Sequence, residues 1–145
     1  MKFLKYFLLL ALFAGITLPL LTSCSDDDDT PPIEGYWYAD LQTNPEMMVF
    51  KNGKFASIIA PRRSNLTLAQ MKEWVDEALN THKVKDFGYE SEDRVIYGTY
   101  TFSENKLILK TNEFVEDDNI SFNGNTMVIT WDEEEYTVYQ RYTGK

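Results

Sequence analysis

The chain has 145 residues, 43% of them hydrophobic and 14% aromatic, with a formal net charge of −9. That length holds one domain around one core, and so high an aromatic share excludes a disordered chain and suits a β-rich core. The acidic balance, with no basic stripe to offset it, excludes nucleic acid as a partner.

Lys2 and Lys5 open the chain as a positive n-region, and Phe7 to Leu21 follow as an apolar h-region, the pattern of a secretory signal peptide. Gly15 and Pro19 interrupt the run, which is marginal for the roughly 20 apolar residues of a permanent span; an uncleaved membrane anchor is the alternative. Leu21-Thr22-Ser23-Cys24 is an aliphatic residue, two small residues and a cysteine, and it resembles the lipobox of bacterial lipoproteins at all four positions. The resemblance implies cleavage before Cys24 and acylation of its thiol, so residues 1–23 are a lipoprotein signal peptide and residues 24–33 a lipidated tether. The multiple acyl chains of such a protein form a durable membrane anchor, which one chain alone does not. Removal of residues 1–23 leaves 12 basic side chains against 23 acidic ones, a net charge of −11. Cys24 is the only cysteine, so acylation leaves the mature domain no thiol for a disulfide, a nucleophile or a metal.

Ser25, Asp26, Asp27, Asp28 and Asp29, followed by Thr30-Pro31-Pro32, form a charged, proline-stiffened spacer. An acidic run directly after the lipidated cysteine also resembles the surface-export signal of Bacteroidota lipoproteins. That resemblance implies an outer-membrane, cell-surface location. The plain spacer reading leaves the periplasmic face as the alternative. Consecutive aspartates lack the spaced ligands and glycine of a calcium loop.

The folded domain spans residues 34–145. Short aromatic and β-branched runs alternate with turn signals, as in an antiparallel barrel or sandwich. The predicted strands are Gly35 to Leu41, Met47 to Phe50, Phe55 to Ala60, Arg94 to Phe102, Lys106 to Thr111, Asn119 to Phe122, Thr126 to Asp132 and Tyr136 to Tyr142. Asn52-Gly53 and Asn123-Gly124 suit type I′ turns. Ser103-Glu104-Asn105 and Asp132 to Glu135 are equally short links, so neighbouring strands are expected to run antiparallel. Alternation places Ile96, Gly98, Tyr100 and Phe102 on one face of the fourth strand and Tyr97 and Thr99 on the other. Between the third and fourth strands, Leu68, Met71, Trp74, Val75, Ala78 and Leu79 fall on one helical face. Thr67 and Gln70 match a capping box at its start, and Asn80 or Thr81 ends it. The apolar stripe must dock on the open mouth or the outer flank of the sheet.

Eight strands in meandering order suit an up-and-down barrel. Gly35-Tyr36-Trp37 at the first strand resembles the Gly-X-Trp that opens lipocalin-like barrels, and Arg141 in Tyr139-Gln140-Arg141-Tyr142 stands where that family lays an Arg across the Trp. The chain is therefore similar to the lipocalin-like lipoproteins of Bacteroidota over most of Glu34 to Tyr142. The expected fold is all-β with one inserted helix, a small antiparallel eight-stranded lipocalin-like barrel; a β-sandwich is the alternative. The inserted helix departs from the classical pattern, in which the main helix follows the eighth strand. Without the family, Trp37 and Arg141 still make a structural pair: a guanidinium stacked on an indole would join the first and last strands.

Catalytic signals are sparse. His82, the only histidine, follows the helix in a polar stretch and reads as a surface residue. Glu116-Asp117-Asp118 and Glu133-Glu134-Glu135 could supply paired carboxylates, but both are expected in solvated turns without apolar cover. Asn65-Leu66-Thr67 fits a glycosylation acceptor, whereas Thr67 is better used as a helix cap. No cofactor or metal motif is present. The expected function is a non-enzymatic, lipid-anchored envelope module that binds a small hydrophobic or glycan-type ligand. Its membrane contact is the lipid anchor, its other partner an unidentified ligand or envelope protein. The alternative is an interaction module with a filled barrel, and a glycan hydrolase is the least supported reading.

Overall fold

A computed structural model describes residues 32–39, 44–60, 66–84 and 94–144. Residues 1–23, Cys24 and the Ser25–Asp29 run lie outside the described residues, as do Asn65 and most of the return from the helix to the fourth strand. The described chain forms β1 (Gly35–Ala39), β2 (Glu46–Lys51), β3 (Lys54–Ile59), α1 (Leu68–Thr81), β4 (Val95–Ser103), β5 (Lys106–Lys110), β6 (Val115–Asn123), β7 (Thr126–Thr130) and β8 (Tyr136–Tyr142).

The eight strands close into one antiparallel barrel, each bonded to its sequence neighbour and β1 to β8. Closure sets Trp37 opposite Arg141 in the β1–β8 register. The expected all-β barrel with one inserted helix is the observed fold, and an open sandwich is excluded by the β1–β8 ladder. Asn52 (φ 53°) and Gly53 (φ 73°) both adopt positive φ, as a type I′ turn requires. The β6–β7 turn differs from expectation. Asn123 ends β6, and Gly124 (φ 58°) is the residue with positive φ, so the pair at the tip is Gly124-Asn125 and the turn has the type II′ pattern.

Gly98 makes β4 and β5 approach closely. A Cβ there would lie 2.0 Å from the Lys110 carbonyl oxygen, a distance no side chain tolerates.

Two cores share the barrel wall. Inward-facing Trp37, Met48, Phe50, Phe55, Tyr100, Leu107, Leu109, Ile120, Met127, Ile129 and Tyr139 are buried together, with Ile96, Phe102, Phe122 and Trp131 packed on them. Outward-facing Met47, Val49, Ala56 and Ile58 are buried instead beneath Met71, Val75 and Ala78 of α1. Strands β2 and β3 are thus apolar on both faces, which is why they read as continuous hydrophobic runs. The helix begins with a complete capping box: the Gln70 amide donates to Thr67 Oγ1 (3.2 Å), and the Thr67 amide donates to Gln70 Oε1 (2.9 Å). It ends at His82, which adopts φ 62° as C-cap and sends its amide to the Ala78 carbonyl. The exposed imidazole stacks on Tyr97, with ring centroids 4.0 Å apart and planes at 2°. Among the described residues, no helix is long and apolar enough to cross a membrane.

One strand contradicts the sequence reading. Glu116, Asp117 and Asp118 were expected in a solvated turn but lie within β6, which starts at Val115. The turn is earlier, at Thr111, whose hydroxyl accepts hydrogen bonds from the Glu113 and Phe114 amides (3.1 and 3.0 Å).

Candidate functional site

The two ends of the barrel differ in chemistry. The turns Asn52-Gly53, Glu104-Asn105 and Gly124-Asn125 gather at one end, which is closed by side chains. There the Arg141 guanidinium carbon sits 4.2 Å from the centre of the Trp37 ring. Arg141 Nη1 donates to the Glu34 carbonyl (2.7 Å), and Nη2 donates to the Pro32 carbonyl. Trp37 Nε1 donates to the Ile33 carbonyl at 2.7 Å. Ile33, assigned from sequence to the tether, is fully buried in the inner core. Gly35 leaves space for this arrangement: its φ is 123°, and a Cβ would meet Arg141 Nη1 at 2.9 Å. The Glu34 carboxylate adds a latch, accepting from the Asn52 amide (2.8 Å) and the Tyr100 hydroxyl (3.1 Å). Burial, followed by the neighbouring Glu34 charge, pushes the Tyr100 hydroxyl up to about 12. The pair Trp37 and Arg141 therefore occupies the end wall, away from the opening.

The other end holds a cavity of about 350 Å³ that opens to solvent, within the size range of small-molecule sites. Its walls are apolar, formed by Met48, Phe55, Ile59, Ile96, Leu109, Phe114 and Trp131, and its polar groups are Glu46, Ser57, Glu116, Thr137 and Tyr139. Strand alternation dictates this lining. Glu46 shares a face with Met48 and Phe50, so the first residue of β2 is an inward carboxylate at the rim of the inner core.

Its two oxygens are both engaged. The Ser57 hydroxyl donates to Oε1 at 2.7 Å, and the Tyr139 hydroxyl donates to Oε2 at 3.0 Å. Loss of water raises the Glu46 pKa above its ordinary value, and the two donors only partly offset that effect. Tyr139 is buried, and desolvation together with the facing Glu46 charge raises its pKa as well. It therefore stays a neutral donor. Trp131 is fixed across the wall by its Nε1–H, which donates to Thr137 Oγ1 at 2.9 Å.

Asp118 is the other acidic group of the interior. It follows Glu116 on the inward face of β6, opposite Leu107 of β5, and is only 5% exposed. Its Oδ2 has no hydrogen-bond partner. Burial first, then the charges of Glu116 and Asp117, push the carboxyl up to about 6, while Lys106 acts weakly in the opposite sense. Lys106 is spent outside the barrel, where its ammonium pairs with the exposed Asp117 at 3.1 Å.

Of the two acidic triplets, Glu133–Glu135 lies in an exposed turn as expected, whereas in the other Glu116 lines the cavity, Asp117 is exposed and Asp118 is buried. Glu46, Ser57 and Tyr139 were not singled out from sequence, and Asp118 was weighed there only as part of a solvated acidic turn. The phase of β6 held the missing signal: Glu116, Asp118, Ile120 and Phe122 have one parity, and Ile120 and Phe122 already face inward. Among the described residues, no three His, Cys, Asp or Glu side chains converge closely enough to hold a metal ion. The chain matches no protein-family model, no curated protein and no solved structure.

Proposed function

We propose that this protein is a non-enzymatic, lipid-anchored module of the bacterial envelope whose barrel binds a small, largely apolar ligand. The observation that carries the binding reading is the open cavity of about 350 Å³, apolar on its walls and polar at a few fixed points. The anchor rests on the lipobox-like Leu21 to Cys24, and the outer-membrane, surface-exposed location on the acidic run after it.

A hydrolase is disfavoured by how the carboxyls are used. A glycosidase needs two carboxyl groups flanking a bond, one free to give a proton and one free to attack or activate water. Both oxygens of Glu46 already accept internal hydrogen bonds, and Asp118 is nearly sealed from solvent.

The neutral fluorophore N-phenyl-1-naphthylamine tests the binding reading. Its emission should rise on addition of the protein, and the Leu109→Trp variant, which fills the cavity, should abolish the rise. No rise, or a rise that survives the filled cavity, removes the reading. A second reading, a protein-interaction module, draws on the exposed Ile108, Val115, Tyr136 and Val138, which form part of the barrel's outer wall away from α1.

A further inference from the structure

We infer that the cavity reads the direction of hydrogen bonds: it takes a small apolar molecule carrying an N–H or O–H donor, with the Glu116 carboxylate as the acceptor, and rejects molecules that can only accept. This inference rests on the binding reading above and narrows it to a ligand class.

The first support is where the donors go. Ser57 and Tyr139 each give their hydroxyl hydrogen to the Glu46 carboxylate, at 2.7 and 3.0 Å. Trp131 gives its indole N–H to Thr137 Oγ1 at 2.9 Å. Thr137 passes its own hydrogen to the Tyr139 oxygen and is the one neighbour that eases the ionisation of that phenol. A relay thus runs from Trp131 through Thr137 and Tyr139 to Glu46. The other described lining side chains are the Glu116 carboxylate and apolar groups with no hydrogen to donate. Among the described residues, no lining side chain keeps a donor for a ligand.

The second support is Glu116. It lines the cavity, lies opposite Leu109 of β5 on the inward face of β6, and is half-buried. Among the described residues neither of its oxygens takes part in a hydrogen bond or an ion pair. Glu46 differs, because each of its oxygens already accepts one hydroxyl. A carboxylate has acceptor positions only. The unspent polar surface of the cavity is therefore all acceptor, and Glu116 is its open part.

A ligand N–H or O–H that meets Glu116 forms a charge-assisted hydrogen bond, stronger than one between neutral groups. A ligand atom that can only accept strips water from the carboxylate and returns no bond, the costly case of polar burial. This asymmetry is what lets a site built to bond an O–H or N–H reject the analogue that lacks it. The apolar walls hold the rest of either molecule equally well, so the direction of the bond separates them. Glu116 is the residue that touches the donor. Glu46, Ser57, Thr137 and Tyr139 are positioning residues, which keep the cavity's own donors occupied with one another.

Indole and benzofuran test this by isothermal titration calorimetry. Both are uncharged and nearly equal in size, and they differ in an N–H against an acceptor oxygen. The full-length protein is held in phosphatidylcholine nanodiscs, with empty discs as control for partitioning. Indole should bind at least about tenfold more tightly at pH 7.5, a difference of about 1.4 kcal/mol. Glu116→Gln keeps the size, removes the charge and brings N–H donors of its own, so the preference should fall to about threefold or less. Equal binding of the two probes, or a preference for benzofuran, overturns the inference and leaves the binding module standing. Binding of neither probe overturns it too, while the fluorophore decides the binding reading separately. A preference that survives Glu116→Gln overturns the assignment of Glu116 as acceptor. Should that variant fail to fold, 1-methylindole, which lacks the N–H, decides on the unaltered protein: it should bind at least about tenfold more weakly than indole, and binding as tight as indole's overturns the inference.

Discussion

Asp118→Asn is expected to make the protein more stable at neutral pH, because the folded barrel holds this carboxyl against its ionisation. The ordinary value of 3.8 becomes about 6 in the folded protein. Each unit of that difference corresponds to about 1.4 kcal/mol, which sets an upper bound of about 3 kcal/mol. Relaxation of the surroundings around the charge offsets part of it, and about 1–2 kcal/mol is the expected cost of the charged form. The sign follows from proton binding. Below 3.8 both folded and unfolded chains hold the proton, and no cost arises. Between 3.8 and about 6 the folded protein keeps a proton that the unfolded chain has lost, so stability falls as pH rises. Above about 6 the cost is complete. Urea titrations of both proteins at pH 7.5 and pH 4 measure it, using midpoints at constant m-value. The variant should gain about 1–2 kcal/mol at pH 7.5, and the gain should vanish near pH 4. A variant less stable than the parent at pH 7.5, or a gain that is the same at both pH values, would refute the assignment of Asp118 as an uncompensated interior charge.

The barrel wall and the chain's address give five further expectations. Trp37→Ala should cost about 3–5 kcal/mol of stability, as for other buried large aromatics. A double-mutant cycle between Trp37 and Arg141 should return a coupling of about 0.5–3 kcal/mol by denaturant titration, whereas additive losses would mean that the stacking contributes nothing. Gly98→Ala should lose about 1–3 kcal/mol, since its Cβ would drive β4 from the Lys110 backbone; an unchanged urea midpoint would show that the two strands are free to separate there. Cys24→Ser should leave unprocessed precursor without lipid, and an unmodified Cys24 in membrane-extracted protein, read by mass spectrometry, would end the lipoprotein reading. Replacement of Asp26 to Asp29 by Ala should move the domain from the cell surface to the periplasmic side, and equal digestion by protease added to intact cells would leave the acidic run a spacer only.

Most of the barrel was legible because its strands carry their own punctuation. Asn52-Gly53 marks a turn through a backbone demand that few residue pairs meet, and the alternation from Ile96 to Phe102 assigns each side chain a face. The capping box at Thr67 and Gln70 is a local hydrogen-bonding pattern, so it could be read without any tertiary context. Glu116 to Asp118 was misread because three consecutive acidic residues look solvated by composition. Strand phase decided otherwise: once Ile120 and Phe122 face inward, the pleat carries Asp118 and Glu116 inward with them. The partnership of Glu46, Ser57 and Tyr139 spans 93 residues of sequence, and local pattern has no means of reporting it. The rule that buried carboxyls are rare favours the wrong assignment at such positions.

The position of α1 explains why an interior cavity survives in so short a barrel. Its apolar stripe had two possible surfaces, the mouth or the outer flank, and the side chains of β2 and β3 decide between them. Met47, Val49, Ala56 and Ile58 point outward and are apolar, so leaving them uncovered would expose a contiguous hydrophobic patch. Covering them requires the helix on the flank. Tyr36 of β1 helps to hold it there, its hydroxyl donating to Asp76 at 2.7 Å, while Lys72 bonds the same carboxylate and lies 4.5 Å from the Tyr36 ring centre. A helix lying over the mouth would instead have met Glu46 and Glu116 with the apolar faces of Met71 and Val75, burying carboxyls against groups that cannot bond to them. The same alternation that makes β2 apolar on its outer face and acidic at its inner rim therefore sends the helix outside and leaves the cavity open. Core formation is moved partly onto the outer wall, and the interior is released from having to supply all of it.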